Sequence, residues 1–136
     1  MNRLQRLARR LDEDHVVRTP TSSAQALTAF EGLHGLVIPT GLRSFWEQLG
    51  GALNPDRHHL RLWPFSELQP EPSSAGCWLF GDFLIQSHLF SIDLAPSGTG
   101  AVFAWATGHR IQLADTFDQF LDWYLDEEER LVPPWH

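Results

Sequence analysis

The chain contains no lysine and one cysteine, Cys77. A single cysteine excludes an internal disulfide and any zinc site built on several thiolates. It fits a reducing compartment. Without lysine, ten arginines are the only permanent cations, set against seventeen Asp and Glu for a net charge of −7. Four of them, Arg3, Arg6, Arg9 and Arg10, fall in the first ten residues, and the rest are scattered. A nucleic-acid backbone needs clustered cations, and base-stacking aromatics come with a positive groove, so nucleic acid is not an expected partner. No apolar run approaches the ~20 residues that span a membrane. The charge density of residues 1–15 leaves no apolar stretch for a secretory leader. The expected setting is the cytoplasm, with no membrane partner.

Motifs of chemistry are also missing. The seven histidines show no HxH or HxxxH spacing, and the adjacent His58 and His59 point to opposite faces if they lie on a strand. No metal and no cofactor is expected. No G-x-S-x-G elbow occurs. Cys77 precedes Trp78 and Leu79 in an apparent strand, where a buried, inert thiol is expected rather than a nucleophile. Neighbouring carboxylates sit mainly near the C-terminal end, where solvation keeps them ordinary. No catalytic set emerges, and the chain is read as not an enzyme. The Gly50-Gly51 pair is no phosphate cradle either. A phosphate loop places its glycines before a helix, with N–H groups aimed at the anion. Here they follow one, and glycine is the residue that ends a helix in a left-handed conformation.

What is present is core material: six Trp, nine Phe and many Leu in 136 residues. That length suits one domain, with roughly two thirds of the unfolded surface buried on folding. Leu4, Leu7 and Leu11 recur at helical spacing over residues 2–14. The arginines there precede the acids, against the helix dipole, so this helix must gain its stability from packing. Residues 15–22 read as a linker. Ser22 or Ser23 caps a second helix on which Ala24, Leu27, Phe30 and Leu33 share a face. Thr40 caps a third, 41–49, with Leu42, Phe45, Trp46 and Leu49 as its buried stripe. Short apolar runs then alternate with turn residues, predicting strands near 59–63, 77–80, 88–94, 101–107 and 109–114. A loop is expected at 69–76, a hairpin connection at 95–100 and a tight turn at 107–109. In the strand at 88–94, His88, Phe90, Ile92 and Leu94 take one face, and Leu89, Ser91 and Asp93 the other. Thr116 and Gln119 have capping-box form at the start of a last helix. Its Phe117, Phe120, Leu121 and Tyr124 fall on one side, and Asp115, Asp118, Asp122, Asp126 and Glu129 on the other. Pro133 ends that segment. The organisation is one domain over 1–136: helix and linker 1–22, helical part 23–51, sheet 52–114, C-terminal helix 115–130.

The stretch "AFEGLHGLVIPTGLRSFWEQLGG", residues 29–51, resembles the N-terminal signature of the SUKH superfamily, through Glu31, Ile38, Pro39, Phe45, Trp46, Gly50 and Gly51. Leu49 stands where that family often has Asn. "RLWPFSEL" resembles its next strand, with Trp63 and Pro64 in place. "WLFGDFLIQSHLFSIDL" is similar to its central strand pair, through Phe80, Gly81, Asp82 and Phe90. "ADTFDQFLDWYL" resembles its closing helix, through Thr116, Phe117, Phe120 and Leu121. The resemblance runs over about residues 24–126. It implies an α+β fold, with helices packed on a mixed, mostly antiparallel sheet of five to six strands. It also implies a protein-binding role: an immunity protein that neutralises a cognate toxin delivered between competing bacteria, or an intracellular scaffold or regulatory module. No catalytic residues come with it; Pro39, Trp46 and Gly50 are scaffold positions.

An immunity role gives the acidic surplus a use, because toxins acting on nucleic acids or nucleotides carry basic active sites that an acidic inhibitor can fill. The candidate partner-binding residues are Asp118, Asp122 and Asp126 on the last helix and Asp82 and Asp93 around the sheet, with Trp105 as an aromatic anchor. A plain solvated face is the alternative for the helix stripe. Oligomeric state stays open.

Overall fold

The computed structural model describes residues 1–72, 74–96, 100–106 and 108–132. Gly50 stands where helix α3 (Thr40–Gln48) ends, with φ +87°. A Cβ there would lie 2.2 Å from the Thr19 carbonyl oxygen, and one on Gly51 would lie 2.3 Å from Pro64 N. The pair is required because two segments cross it at backbone distance, from the linker on one side and the sheet on the other. The linker is correspondingly ordered. Thr19 N–H donates to Gly51 O (2.9 Å), Leu53 N–H to Val17 O (2.8 Å) and Ser22 N–H to Trp46 O (2.9 Å), a free carbonyl near the end of α3.

Helix α1 (Arg3–Glu13) opens on a capping box that the leucine spacing alone does not announce: Gln5 N–H donates to the Asn2 side chain and Asn2 N–H to the Gln5 side chain. Helix α2 (Ala24–His34) is capped by Ser23 and closed by Gly35 at φ +64°. Its expected face is corrected at Leu33, which is 80% exposed. At 100° per residue Leu33 has turned about 120° away from the buried Leu27. Pro39, not Thr40, takes the cap position of α3, without a side-chain bond.

The motif residues between these helices brace one another. Glu31 accepts from Ile38 N–H (2.7 Å) and from Arg43 (3.0 Å), whose guanidinium also reaches Ala24 O and Thr28 Oγ1. Trp46 Nε1 donates to Trp63 O (3.0 Å), and Trp63 Nε1 to Asp82 Oδ2 (2.8 Å). These bonds run from α3 to strand β1 (Leu60–Leu62) and on to strand β3 (Cys77–Phe83).

The remaining strands are β2 (Gln69–Pro70), β4 (His88–Asp93), β5 (Val102–Ala106) and β6 (His109–Ala114). β2 lies in the stretch expected to be loop, because its two residues pair with Trp78 and Leu79 while their side chains stay exposed and leave no apolar pattern to read. The sheet runs β1-β3-β4-β5-β6, with β2 beside β1 on the same flank of β3, and every described pairing is antiparallel. The connections at 97–99 and at residue 107, and Pro133, lie outside the described residues. His58 and His59 precede β1 rather than sit on it, with His59 at φ +66°. The β3–β4 turn is unusual. Leu84, Ile85 and Gln86 all have φ between +50° and +67°, and Ile85 is 86% exposed. A left-handed conformation costs such residues about 1–2 kcal/mol each.

Helix α4 (Phe117–Asp126) packs the core with α1 and α3. Its Phe120 meets Phe80 and Phe90 at 5.4 and 5.5 Å, edge to face. Thr116 caps it, while the Gln119 side chain accepts from Asp115 N–H, one residue before the cap. The helix stops at Asp126, short of the expected 130, and a 3-10 turn covers Glu128–Leu131. Among the described residues, four helices and a six-stranded sheet make this an α+β fold.

Candidate protein-binding surface

The sheet separates two faces. Phe80, Phe90, Ile92, Val102 and Ala104 belong to the core with the helices. The alternate residues turn to the outer face. There, cross-strand pairing forms two rows, Asp82–Leu89–Trp105–Arg110 and Leu79–Ser91–Phe103–Gln112. Asp82 and Trp105 thus share a row, as neither spacing nor composition could show. They are not equally available. Asp82 is 3% exposed and is held by the Trp63 indole and by Arg61 at 3.6 Å, so its carboxylate anchors the sheet from within. Trp105 is half-buried between Leu89 and Arg110 and offers part of its ring to solvent.

Arg110 is the outer-face residue that the sequence reading missed. Its guanidinium lies 3.6 Å over the Phe103 ring, donates from Nε to Glu71 Oε1 (3.0 Å) and reaches Cys77 Sγ (3.1 Å). No spacing signal announces it, because Glu71 and Cys77 lie 39 and 33 residues away in sequence and Phe103 meets it only across the β5–β6 pairing. Burial pushes the Cys77 thiol above its ordinary value, although the Ser74 hydroxyl and the Arg110 charge pull it back. Asp93 ends β4, half-buried, and accepts from Ala95 N–H (2.9 Å).

The helix aspartates belong to the other side of the molecule, and they are engaged. Arg3 grips Asp122 through two bonds (2.6 and 3.0 Å) and stands 3.7 Å from Asp118. Arg6 pairs with Asp126. Hydrogen bonding to Arg3 holds the Asp122 carboxyl below the usual aspartate value, and the same bond raises Arg3. Two of the four arginines that run against the α1 dipole are thereby explained, since the acidic stripe of α4 receives Arg3 and Arg6. The stripe is neither a bare solvated face nor a free acidic surface.

Below it lies a buried ionic centre. Arg10, 6% exposed, donates to Tyr124 O (2.6 Å) and stands 3.5 Å from both Asp14 and Asp56. Tyr124 donates its hydroxyl to Asp56 (2.7 Å), whose other oxygen accepts from His58 and Leu60 N–H. Burial, first, then the Asp56 charge hold the Tyr124 phenol well above its ordinary value. A cleft of about 440 Å³ adjoins this centre, lined by Arg6, Arg9, Arg10 and Arg57 with Glu13 and Glu128. Each of these arginines already has a carboxylate within 4.0 Å, so the cleft presents a balanced network rather than free positive charge. Among the described residues, no three His, Cys, Asp or Glu side chains converge as a metal site requires, and no helix is long and apolar enough to cross a membrane.

The scaffold bonds of Glu31, Pro39, Trp46, Gly50, Trp63 and Asp82 involve the positions on which the family resemblance rests. A comparison with curated proteins finds none that matches. Residues 21–123 match the profile of the SMI1 / KNR4 family (SUKH-1), which covers α2, α3, the whole sheet and most of α4, and the chain therefore belongs to that family.

Proposed function

We propose that the protein is an immunity-type inhibitor that acts in the cytoplasm. It binds a cognate bacterial toxin, covers the toxin's active site and carries out no reaction of its own. The observation that carries this reading is the family match over residues 21–123, together with the scaffold use of the matched side chains, which leaves the rest of the surface free to be shaped by a partner. A standard interface takes about 800 Å² from each partner, against a total surface of 6997 Å². One such patch covers either the outer sheet face around Trp105 and Asp93 or the α4 face, not both, because the sheet lies between them. The test is co-expression with the product of the adjacent gene. Rescue of growth and co-purification of the pair are expected; killing that proceeds unchanged would sink the proposal.

The structure also sharpens the test of the helix aspartates. If Asp118, Asp122 and Asp126 face the toxin, replacing them with Asn weakens binding, while Arg3→Gln with Arg6→Gln frees their charge and strengthens it. If they only clamp α1, the two sets of changes act alike, and binding keeps its salt dependence.

A second reading, an intracellular scaffold or regulatory module, is favoured by one observation. The α4 carboxylates that would suit a basic toxin cleft are already occupied by Arg3 and Arg6. A neighbouring toxin gene decides for immunity, and its absence decides for the scaffold.

A further inference from the structure

β6 is an edge strand. Among the described residues it pairs with β5 alone, and no other backbone bonds to its outer side. His109, Arg110, Ile111 and Gln112 are all exposed, and the strand contains neither proline nor glycine. Such an edge is a ready template for another strand. The register shifts between Val102 and Phe103, which pair with Ala114 and Gln112, so Leu113 is the extra residue of a bulge. The bulge blunts one end and leaves 109–112 in regular register. Arg110 turns to the outer face and is held by Glu71 and Phe103. Ile111, paired with the core residue Ala104, turns the other way. It borders a cavity of about 380 Å³ beside the strand, with Ile111, Leu113 and Trp123 as apolar wall and Glu127 and Glu129 on the rim. Arg130, also in the lining, is stacked on Trp123 at 4.9 Å and paired with Glu127 at 3.3 Å, which leaves Glu129 to set the sign of the rim. Asp115, just past the strand, adds a further exposed carboxylate.

We propose that β6 accepts an extended segment of a partner protein as a seventh strand, and that this segment carries an apolar residue and, two positions on, a basic one. Main-chain bonds to 109–112 supply affinity, and the pocket beside the strand supplies selection. Residues i and i+2 of an added strand share a face. One therefore places an apolar side chain against Ile111 and Trp123, and the other places an Arg or Lys at Glu129. Charge argues against a second copy of this chain as the occupant. A two-fold β6–β6 pairing keeps both helical faces on the same side, so two acidic rims would meet in molecules that each carry −7. The proposal rests on the protein-binding reading but not on the partner being a toxin.

The test uses the full chain and a blocked peptide of the repeat Thr-Ile-Thr-Arg, in which Ile and Arg lie two positions apart on one face. Binding that protects the amides of 109–112 from exchange is expected. Glu127→Arg with Glu129→Arg, both on the rim, should weaken it about tenfold or more, and Ile111→Asn should weaken it with the melting temperature little changed. Equal affinity for the same peptide with Glu in place of Arg would overturn the proposal. So would equal affinity for a peptide N-methylated at alternate residues, protection elsewhere on the chain, no binding at millimolar peptide, or a dimer dissolved by Ile111→Asn. Loss of peptide binding in the double Arg variant with toxin rescue intact would assign the edge to a partner other than the toxin and leave the immunity reading standing. Peptide binding without rescue would leave the edge standing and remove the immunity reading.

Discussion

At the scale of single residues, backbone clearance and buried polarity set the cost of a substitution. Gly50→Ala combines a left-handed residue with a Cβ placed 2.2 Å from Thr19 O. A loss of at least about 2 kcal/mol is expected from conformation and collision together, read as a lower denaturation midpoint. Tyr124 is the only tyrosine in the chain, so phenolate absorbance reports this one group. Its folded pKa is raised, so its contribution to stability is complete below the unfolded value near 10 and is lost as pH rises through the folded value. No phenolate should appear on raising the pH until the protein unfolds; smooth titration in the folded state would contradict the buried bond to Asp56. Tyr124→Phe leaves the Asp56 carboxylate one donor short. That should cost about 1–3 kcal/mol and flatten the alkaline fall in stability.

At the scale of elements, α1 and α4 form a pair whose ionic and apolar contributions separate. Side chains in the Arg3–Asp122 pair are about half exposed, and such pairs are worth at most about 1 kcal/mol. Asp122→Asn should therefore shift the midpoint slightly, and less in high salt. Leu7→Ala removes a fully buried side chain and should cost about 2–5 kcal/mol. Because Arg3 lowers the Asp122 pKa, the pair's contribution is complete above the ordinary 3.8 and is lost as pH falls through the lower folded value. Hydrogen exchange of α1 amides against pH follows that loss. The elements themselves were largely legible in the sequence. Leu42, Phe45 and Trp46 announce α3, Phe117, Phe120 and Tyr124 announce α4, and the alternation of 88–94 announces β4, because each repeats a short period along the chain. What stayed hidden involves partners far apart in sequence. The grip of Arg3 and Arg6 on α4, the cross-strand row joining Asp82 to Trp105, and the place of Arg110 have no local period. β2 has too few residues to show one.

At the scale of the whole molecule, the family-matched segment is expected not to fold by itself. Residues 21–123 omit α1, and with it Leu7 and Leu11 from the core and Arg10 from the ionic centre. Each lost leucine is worth about 2–5 kcal/mol, against a total stability of only about 5–15 kcal/mol for a typical domain. A chain cut to 21–123 should lack cooperative unfolding by circular dichroism, while the 136-residue chain unfolds in one step. The union of α1 with α4 also sets an order of events during synthesis. Arg3 and Arg6 meet partners 119 and 120 residues further on. At about 5–20 residues per second, a nascent chain carries α1 out of the ribosome several seconds before α4 exists to receive it. Throughout that wait Leu7 and Leu11 are open to chaperones. Ribosome-stalled chains that stop before Phe117 should leave α1 accessible to protease, and release of the full chain should close it.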